Sequence, residues 1–171
     1  LRALIAQWFG VHPSRVVLTN GALHGLALLA RRLARGRNVV AEYPIYPRAE
    51  RVLLAAEASL LGTPLDEDGM NPEEIHSMLV QYSTPAIIYT IPTFNNPTGW
   101  TLTLPRRRRL VELVAGQSAV QVQGMQIVED DSYALTRFEG EGTHALFDLS
   151  GKVTVYLSSF STTIAPGLRV G

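Results

Sequence analysis

Polar and charged residues collect in five regions of this sequence, each directly after a run of hydrophobic residues. The regions are residues 19–23, 42–47, 92–99, 129–133 and 158–169. They contain carboxylate, amide, phenol, hydroxyl and guanidinium groups, which donate and accept hydrogen bonds and carry charge. In open α/β sheets, ligands bind outside the carboxyl ends of the strands. The sequence therefore predicts one shared polar pocket at one edge of a sheet.

The elements that must position these regions alternate along the chain. The predicted strands are residues 16–18, 38–41, 59–61, 86–91, 126–128 and 153–157, and the predicted helices are residues 1–9, 21–34, 48–58, a helix beginning at 71–74, and 104–114. Strands separated mainly by helices indicate a parallel sheet. The continuous apolar run at 86–91 is typical of a strand covered on both faces. We expect an α/β fold of three layers, α/β/α, with a mostly parallel sheet.

Composition excludes several classes of function. A chain of 171 residues fits one domain, and its net charge of zero gives no electrostatic reason to expect nucleic acid or an anionic membrane as a partner. The chain has no cysteine, which excludes disulfides and thiolate sites, and its four histidines are too scattered for a local metal motif. No segment reaches the ~18 apolar residues of a membrane span. A cytoplasmic location is the default expectation.

Three motifs carry a resemblance to a known family. Residues 96–99 read Asn-Pro-Thr-Gly, Asp130 and Tyr133 form a DxxY motif, and residues 158–171 read SSFSTTIAPGLRVG. Together they resemble the class I/II, fold type I, aminotransferases that depend on pyridoxal 5′-phosphate (PLP). The similarity is to the 2-aminoadipate aminotransferase subgroup and to the aminotransferase-like domains of MocR-type regulators.

The resemblance extends over residues 1–171 and implies a partial PLP-binding large domain, truncated at both ends. The chain has no starting methionine and no terminating turn after residue 169, which favours the same interpretation. The small C-terminal domain of the family is then absent. The intact family acts on an amino acid and a 2-oxo acid, and homodimers are expected.

The resemblance also assigns roles around the cofactor ring. Asp130 would hold the pyridine nitrogen protonated, Asn96 and Tyr133 would donate to the phenolate oxygen, and Tyr46 would stack on the ring. Plainer alternatives stay open: a turn-capping aspartate, an asparagine in a Pro-Gly turn, and tyrosines that only pack. Asp131 should point away from Asp130, as neighbours on a strand do, and be solvated or capping.

The phosphate of the cofactor needs an anion site. The resemblance implies the backbone N–H groups of Gly21, Ala22 and Leu23 at a helix start, completed by Ser159, Ser161 and Arg169. The family usually has a serine or similar donor at the Ala22 position, so only the backbone can serve there. The alternative is that residues 21–22 form a tight turn with no ligand.

Threonine stands where the family has its Schiff-base lysine. Aligning SFSKTLAPGLR with this chain places that lysine at Thr162, and a threonine hydroxyl neither forms an imine nor acts as a base at neutral pH. Lys152 is the only lysine in the sequence, and six extended residues, about 20 Å at roughly 3.3 Å each, separate it from Ser158. We therefore expect no intact catalytic residue, and PLP held, if at all, without a covalent bond.

Three other interpretations of the chain stay open. The first is an effector-sensing domain of a MocR-type transcription regulator. The second is a remnant that binds no cofactor. The third is that Thr162 reflects an engineered change or a sequencing error.

The four arginines at residues 106–109 point to all sides of a helix. They are expected to form a solvated helix start and not a nucleic-acid contact.

Overall fold

The hydrophobic runs form a six-stranded sheet in the computed structural model, which describes residues 1–82, 85–116 and 124–171. The strands are β1 (Asn38–Tyr43), β2 (Ser59–Asp66), β3 (Gly69–Met70), β4 (Ile87–Thr90), β5 (Gln126–Asp130) and β6 (Thr154–Leu157). Their order across the sheet is β3-β2-β1-β4-β5-β6. β3 is antiparallel to β2, and the other neighbours are parallel, so five carboxyl ends lie at one edge.

Helices cover both faces of this sheet. They are α1 (Arg2–Trp8), α2 (Ala22–Leu29, extended by a π-helical turn at Ala30–Ala34), α3 (Pro47–Ala55), α4 (Pro72–Gln81), α5 (Leu104–Ala115) and α6 (Leu146–Ser150). Successive strand residues point to opposite sides. Val39 and Ile87 pack with α2 and α3 on what we call the α2–α3 face, whereas Val40 and Ile88 pack with the last three helices on the α4–α6 face. The predicted three-layer α/β/α fold with a mostly parallel sheet is confirmed.

Five of the predicted strands are present, but the prediction of a strand at residues 16–18 is wrong. Val16 has extended dihedral angles, φ −103° and ψ 126°, so its backbone is ready to pair. Residues 16–18, however, line a cavity of about 570 Å3 together with Val155 and Tyr156 of β6 and are not part of the sheet. A strand forms only with a hydrogen-bonded neighbour. The local residues favour the extended conformation, but no strand in the described part of the chain pairs with it.

Among the strands and α-helices, two short elements, β3 and α6, have no counterpart among the predictions. The β2–β3 hairpin turns at Gly69, whose φ of 89° suits glycine, and an added Cβ there would lie 2.8 Å from the backbone of Leu102. Helix α6 begins where the Glu129 carboxylate accepts from the N–H groups of Leu146, at 2.8 Å, and Phe147, at 2.9 Å. That cap comes from a residue 17 positions earlier, so no local pattern predicts it.

The expectation of a solvated arginine run at residues 106–109 is wrong for Arg107. Its side chain is only 1% exposed and donates to the carbonyl oxygens of Pro92, at 2.6 Å, and Leu102, at 2.8 Å. Its guanidinium lies 3.7 Å from Glu129. Arg107 therefore belongs to the protein interior, while Arg108 beside it is exposed. Among the described residues, no helix has both the length and the apolar character needed to cross a membrane.

Candidate functional site

Asp130 ends β5 with its carboxylate inside the protein. The residue is 6% exposed. Its Oδ2 accepts a hydrogen bond from the Tyr89 hydroxyl at 3.0 Å, and its Oδ1 accepts one from the Ser132 hydroxyl at 2.7 Å. Burial raises the pKa of Asp130, and the hydrogen bonds from Ser132 and Tyr89 partly oppose that rise. The result is a buried carboxylate that two neutral donors hold in one orientation.

Asn96 and Tyr133 meet at the same edge of the sheet, although 37 positions separate them in the sequence. Asn96 follows β4 and Tyr133 follows β5, and these strands are neighbours in the sheet. The Asn96 amide Nδ2 lies 3.2 Å from the Tyr133 hydroxyl, and both residues are half-buried. The sheet therefore brings together the amide and the phenol that the sequence predicted as a pair.

Glu42 holds the loop that carries Asn96, a role that the sequence did not reveal. Its Oε2 accepts from the Asn95 amide at 2.7 Å and from the backbone N–H of Ile91 at 2.9 Å. Asn95 in turn accepts from the hydroxyl of Thr98 at 2.9 Å. Burial raises the pKa of Glu42 to about 7, although the hydrogen bonds that its carboxylate accepts lower the pKa in part. Glu42 and Asn95 thus fix the loop from inside the protein.

The groups predicted to form an anion site also lie together. The Arg169 guanidinium is 3.5 Å from the Ser161 hydroxyl and 3.3 Å from the backbone carbonyl of Asn20. The Ser159 hydroxyl is 2.9 Å from that of Ser161. Gly21 has φ 84°, and an added Cβ would lie 2.8 Å from the Arg169 guanidinium, so glycine permits this close approach.

Helix α2 begins immediately after Gly21, at Ala22 and Leu23. The first N–H groups of a helix have no partner within the helix, and the helix dipole makes this end positive. The Arg169 guanidinium adds a full positive charge at the same place. An anion bound there would meet donors from the backbone, from two serines and from arginine.

Tyr46 lies at the start of α3 and is half-buried against the core of the α2–α3 face. It is close enough to Tyr89 to contribute to the raised pKa of that phenol. Tyr46 therefore belongs to the same neighbourhood as the Tyr89–Asp130 pair.

Thr162 is exposed and ties two of the polar loops together. Its hydroxyl donates to the backbone carbonyl of Ser132 at 2.9 Å, and Ser132 itself contacts Asp130. Lys152 is also exposed but precedes β6, so it lies toward the opposite end of that strand from Ser158.

One sequence expectation about this region needs correction. Asp131 does point away from Asp130, because its Oδ2 accepts from the hydroxyl of Tyr156 at 3.0 Å on the other face of the sheet. Asp131 is not solvated, however, since it is only 5% exposed, whereas the capping alternative agrees with the hydrogen bond from the backbone N–H of Ala134 to its carboxylate. Burial raises its pKa, which the Tyr156 hydrogen bond partly offsets.

Comparisons with known proteins agree with this arrangement. The chain matches the family "Aminotransferase class I and II" over residues 1–171. It is 34% identical to a 2-aminoadipate transaminase of Thermus thermophilus, over 99% of this chain and 42% of that protein. It is also 34% identical to YisV of Bacillus subtilis, described as an uncharacterized HTH-type transcriptional regulator, over 94% of this chain and 32% of that protein.

A solved structure with the same fold is that of an α-aminoadipate aminotransferase from Thermus thermophilus, in complex with N-(5′-phosphopyridoxyl)-L-leucine. It superposes with a TM-score of 0.89 at 33% identity, over 99% of this chain and 43% of that chain. The chain thus spans well under half the length of these three proteins. Because the match runs along all 171 residues, the chain belongs to the class I and II aminotransferase family.

Proposed function

We propose that residues 1–171 are most of the large domain of a PLP-dependent aminotransferase and that this domain holds PLP without a covalent bond. The observation that carries the proposal is the buried Asp130 carboxylate near the Asn96–Tyr133 pair, at the carboxyl ends of neighbouring strands. When bound, PLP supplies a ring that withdraws electrons from an attached amino acid. The chain's own residues bind and orient that ring.

The donors and acceptors at this edge suit the cofactor. Each Asp130 oxygen accepts one hydrogen bond here and has a second lone pair, so the carboxylate can also accept from a protonated pyridine nitrogen. Asn96 uses one amide hydrogen toward Tyr133 and keeps the other for the phenolate oxygen. Tyr46 offers an aromatic surface for the ring.

We propose that the phosphate group of PLP binds at the part of the site that contains Arg169. Ser159, Ser161 and the first N–H groups of α2 would donate to it, and Arg169 would balance its charge. Glycine at position 21 keeps the space between α2 and the guanidinium open. Residues 21–23 then act through their backbone alone.

We further propose that Thr162 occupies the position of the family's lysine and that the chain therefore does not catalyse amino transfer. Without that amine, no side chain forms the covalent link to the cofactor or moves the proton at the substrate's α-carbon. Lys152 is exposed and precedes β6, so it does not substitute. In an intact relative, the substrates would be an amino acid and a 2-oxo acid.

Replacing Thr162 with lysine tests both the site and the alignment. The test is made in a Lys152→Arg background, which removes the only native lysine side chain. We expect Thr162→Lys to give a visible absorption band with PLP and an adduct, fixed by borohydride, that peptide mapping places at residue 162. Thr163→Lys, at the exposed neighbouring threonine, is the matched control and should give little adduct.

Two results would overturn parts of the proposal. If the lysine-free chain does not bind PLP and Thr162→Lys gives no adduct, the cofactor site is wrong. If Thr163→Lys reacts as well as Thr162→Lys, the pocket does not single out position 162.

A second function is favoured by the regulator among the relatives, which is as similar to this chain as the transaminase. In that case the domain senses an effector, and a DNA-binding domain precedes Leu1. The reading frame upstream of Leu1 distinguishes the two functions. The remaining alternative, a remnant without cofactor, predicts no absorbance change in the PLP titration.

The wider setting is also part of the proposal. A net charge of zero supports a domain that by itself contacts neither nucleic acid nor an anionic membrane. A cytoplasmic location is proposed as the default. Homodimers are proposed for the intact protein by analogy with the family. Analytical ultracentrifugation of the full reading frame measures that state.

A further inference from the structure

Tyr89 and Asp130 face each other on neighbouring strands. Tyr89 of β4 is in register with Val128 of β5, and Asp130 lies two residues further along β5, on the same side of the sheet as Val128. The tyrosine side chain therefore extends along the strand direction toward the carboxyl edge. Its hydroxyl reaches Oδ2 of Asp130 at 3.0 Å, and the Tyr89 side chain is fully buried.

The direction of this hydrogen bond is fixed. Burial raises the pKa of the Tyr89 phenol well above its usual value, and the nearby Asp130 charge raises it further. A phenol that keeps its proton donates to an ionised carboxylate, as the Tyr89 hydroxyl does to Oδ2 of Asp130. A buried carboxylate that accepts such a hydrogen bond is held in one orientation, and its ionised form is stabilised.

Several other groups face the same carboxylate. The Ser132 hydroxyl donates to Oδ1, while the charge of Asp131, beside Asp130, opposes ionisation of Asp130. Glu42, at the end of β1, is close enough for the charge of Asp130 to raise the pKa of Glu42. The two hydroxyl donors, Tyr89 and Ser132, oppose the effect of Asp131.

We propose that Tyr89 is a positioning residue that orients the Asp130 carboxylate toward the ring nitrogen of the cofactor. The proposal rests on the function proposed above for Asp130. Tyr89 itself lies within the sheet and acts through Asp130. From the sequence it reads as one more apolar residue in the run 86–91, so only the structure assigns it this role.

The chain provides a matched control for testing this assignment. Tyr156 donates to Asp131 at 3.0 Å, the same kind of bond at the same distance, on the opposite face of the sheet. Tyr89→Phe and Tyr156→Phe each remove one phenol donor from one of two adjacent aspartates. General effects of losing a tyrosine hydroxyl should appear in both variants, whereas effects on the ring site should appear only in Tyr89→Phe.

The first measurement needs no cofactor. Carboxyl 13C NMR of the ligand-free chain follows the titration of Asp130, with the signal assigned from Asp130→Asn. Losing one donor should raise the pKa of Asp130 by about one unit in Tyr89→Phe. Tyr156→Phe should shift the titration of Asp131 and leave that of Asp130 in place.

The second measurement uses pyridoxamine 5′-phosphate, which has the same ring but no aldehyde to react with Lys152. Its affinity should fall as Asp130 becomes protonated, because a neutral carboxyl group is a poor acceptor for the ring N–H. In Tyr89→Phe this fall should begin about one pH unit higher, with an affinity roughly tenfold below wild type on the acid side. Tyr156→Phe should follow the wild-type profile.

Each outcome decides between the two proposals. If Tyr89→Phe leaves the pKa of Asp130 unchanged, or if both tyrosine variants lose affinity equally, the positioning role is wrong. If the pKa shifts but the wild-type chain binds no pyridoxamine 5′-phosphate, the proposed cofactor site fails while the Tyr89–Asp130 coupling stands. Should Tyr89→Phe not fold, the hydroxyl proton of Tyr89 in the wild-type chain must shift as Asp130 titrates, and an unchanged resonance contradicts the proposal.

Discussion

Asp130 and Asp131 are adjacent in the sequence, and each accepts a hydrogen bond from a tyrosine at 3.0 Å, yet their surroundings differ. Asp130 shares the α2–α3 face with Tyr89 and has a hydroxyl donor on each oxygen. Asp131 lies on the α4–α6 face, and its Oδ1 lacks a well-formed hydrogen bond in the described part of the chain. The charge of Arg107 acts on Asp131 from that side.

The difference follows from the alternation of side chains along a strand. Glu42 lies on the same side of the sheet as Val40, and Glu129 on the same side as Ile127, so both glutamates belong to the α4–α6 face. Both accept hydrogen bonds from backbone N–H groups. These acidic residues hold loops and a helix start. On the other face, Asp130 keeps acceptor capacity for a ligand. The same kind of side chain therefore serves as scaffold on one side of the sheet and as a proposed binding group on the other.

The most severe test of this comparison removes the cation from the scaffold side. Arg107→Leu leaves Glu129 buried without its ion pair and removes the side-chain donor of the Leu102 carbonyl, while the Pro92 carbonyl keeps only the backbone N–H of Leu102. Breaking a buried pair in this way costs about 3–5 kcal/mol, measured as the free energy of unfolding in urea. Arg108→Leu, at the exposed neighbour, should change it by less than about 0.5 kcal/mol. Similar losses in both variants would contradict a scaffold role for Arg107.

The two aspartates can be compared directly as asparagine variants. Asp130→Asn should lower the affinity for pyridoxamine 5′-phosphate roughly 10- to 100-fold, because it removes the charged acceptor proposed for the ring nitrogen. Asp131→Asn should leave that affinity unchanged and alter only the unfolding free energy, by about 1 kcal/mol. Isothermal titration calorimetry measures the first quantity. Equal affinity losses would mean that the two faces are not functionally distinct.

The effect that is smallest per group and per pH unit concerns the pH dependence of stability, for which the scaffold carboxylates are again responsible. Burial raises the pKa of Glu42 and of Glu129 from 4.5 to about 7. Their stabilising contribution is therefore fully present below pH 4.5 and is lost as the pH rises through 7. Between about pH 5 and 7 the free energy of unfolding should fall by about 1 kcal/mol per pH unit for each group.

Glu42→Gln isolates one share of this dependence. In the variant, the free energy of unfolding should fall less steeply with pH than in wild type across the same pH range. The fall that remains should be due mainly to Glu129. Urea unfolding at several pH values measures the slope. A slope unchanged by Glu42→Gln would mean that the donors from Asn95 and Ile91 already keep Glu42 ionised in the folded protein.

The sequence predicts the architecture of this protein better than its interior chemistry. Alternating apolar runs predict five of the strands and the three layers, and strand geometry predicts the opposite directions of Asp130 and Asp131. Both successes depend on local periodicity. Asn96 and Tyr133 come together as expected because their loops follow neighbouring parallel strands.

The interior groups were missed because their roles depend on contacts distant in sequence. Tyr89 sits in an apolar run, and Arg107 sits among four arginines whose burial differs. Glu42 reads as one more polar residue after a strand until its contact with Asn95, 53 positions away, is known. The strand predicted at residues 16–18 is wrong for a different reason. The local residues favour the extended conformation, but a strand also needs a hydrogen-bonded neighbour.

The outer edge of β6 has a consequence for what can pair with this sheet. Among the described residues β6 pairs with β5 alone, so its other edge has no strand partner there. Unpaired edges of this kind accept strands from other molecules and promote aggregation. A further strand can therefore join the sheet at this edge.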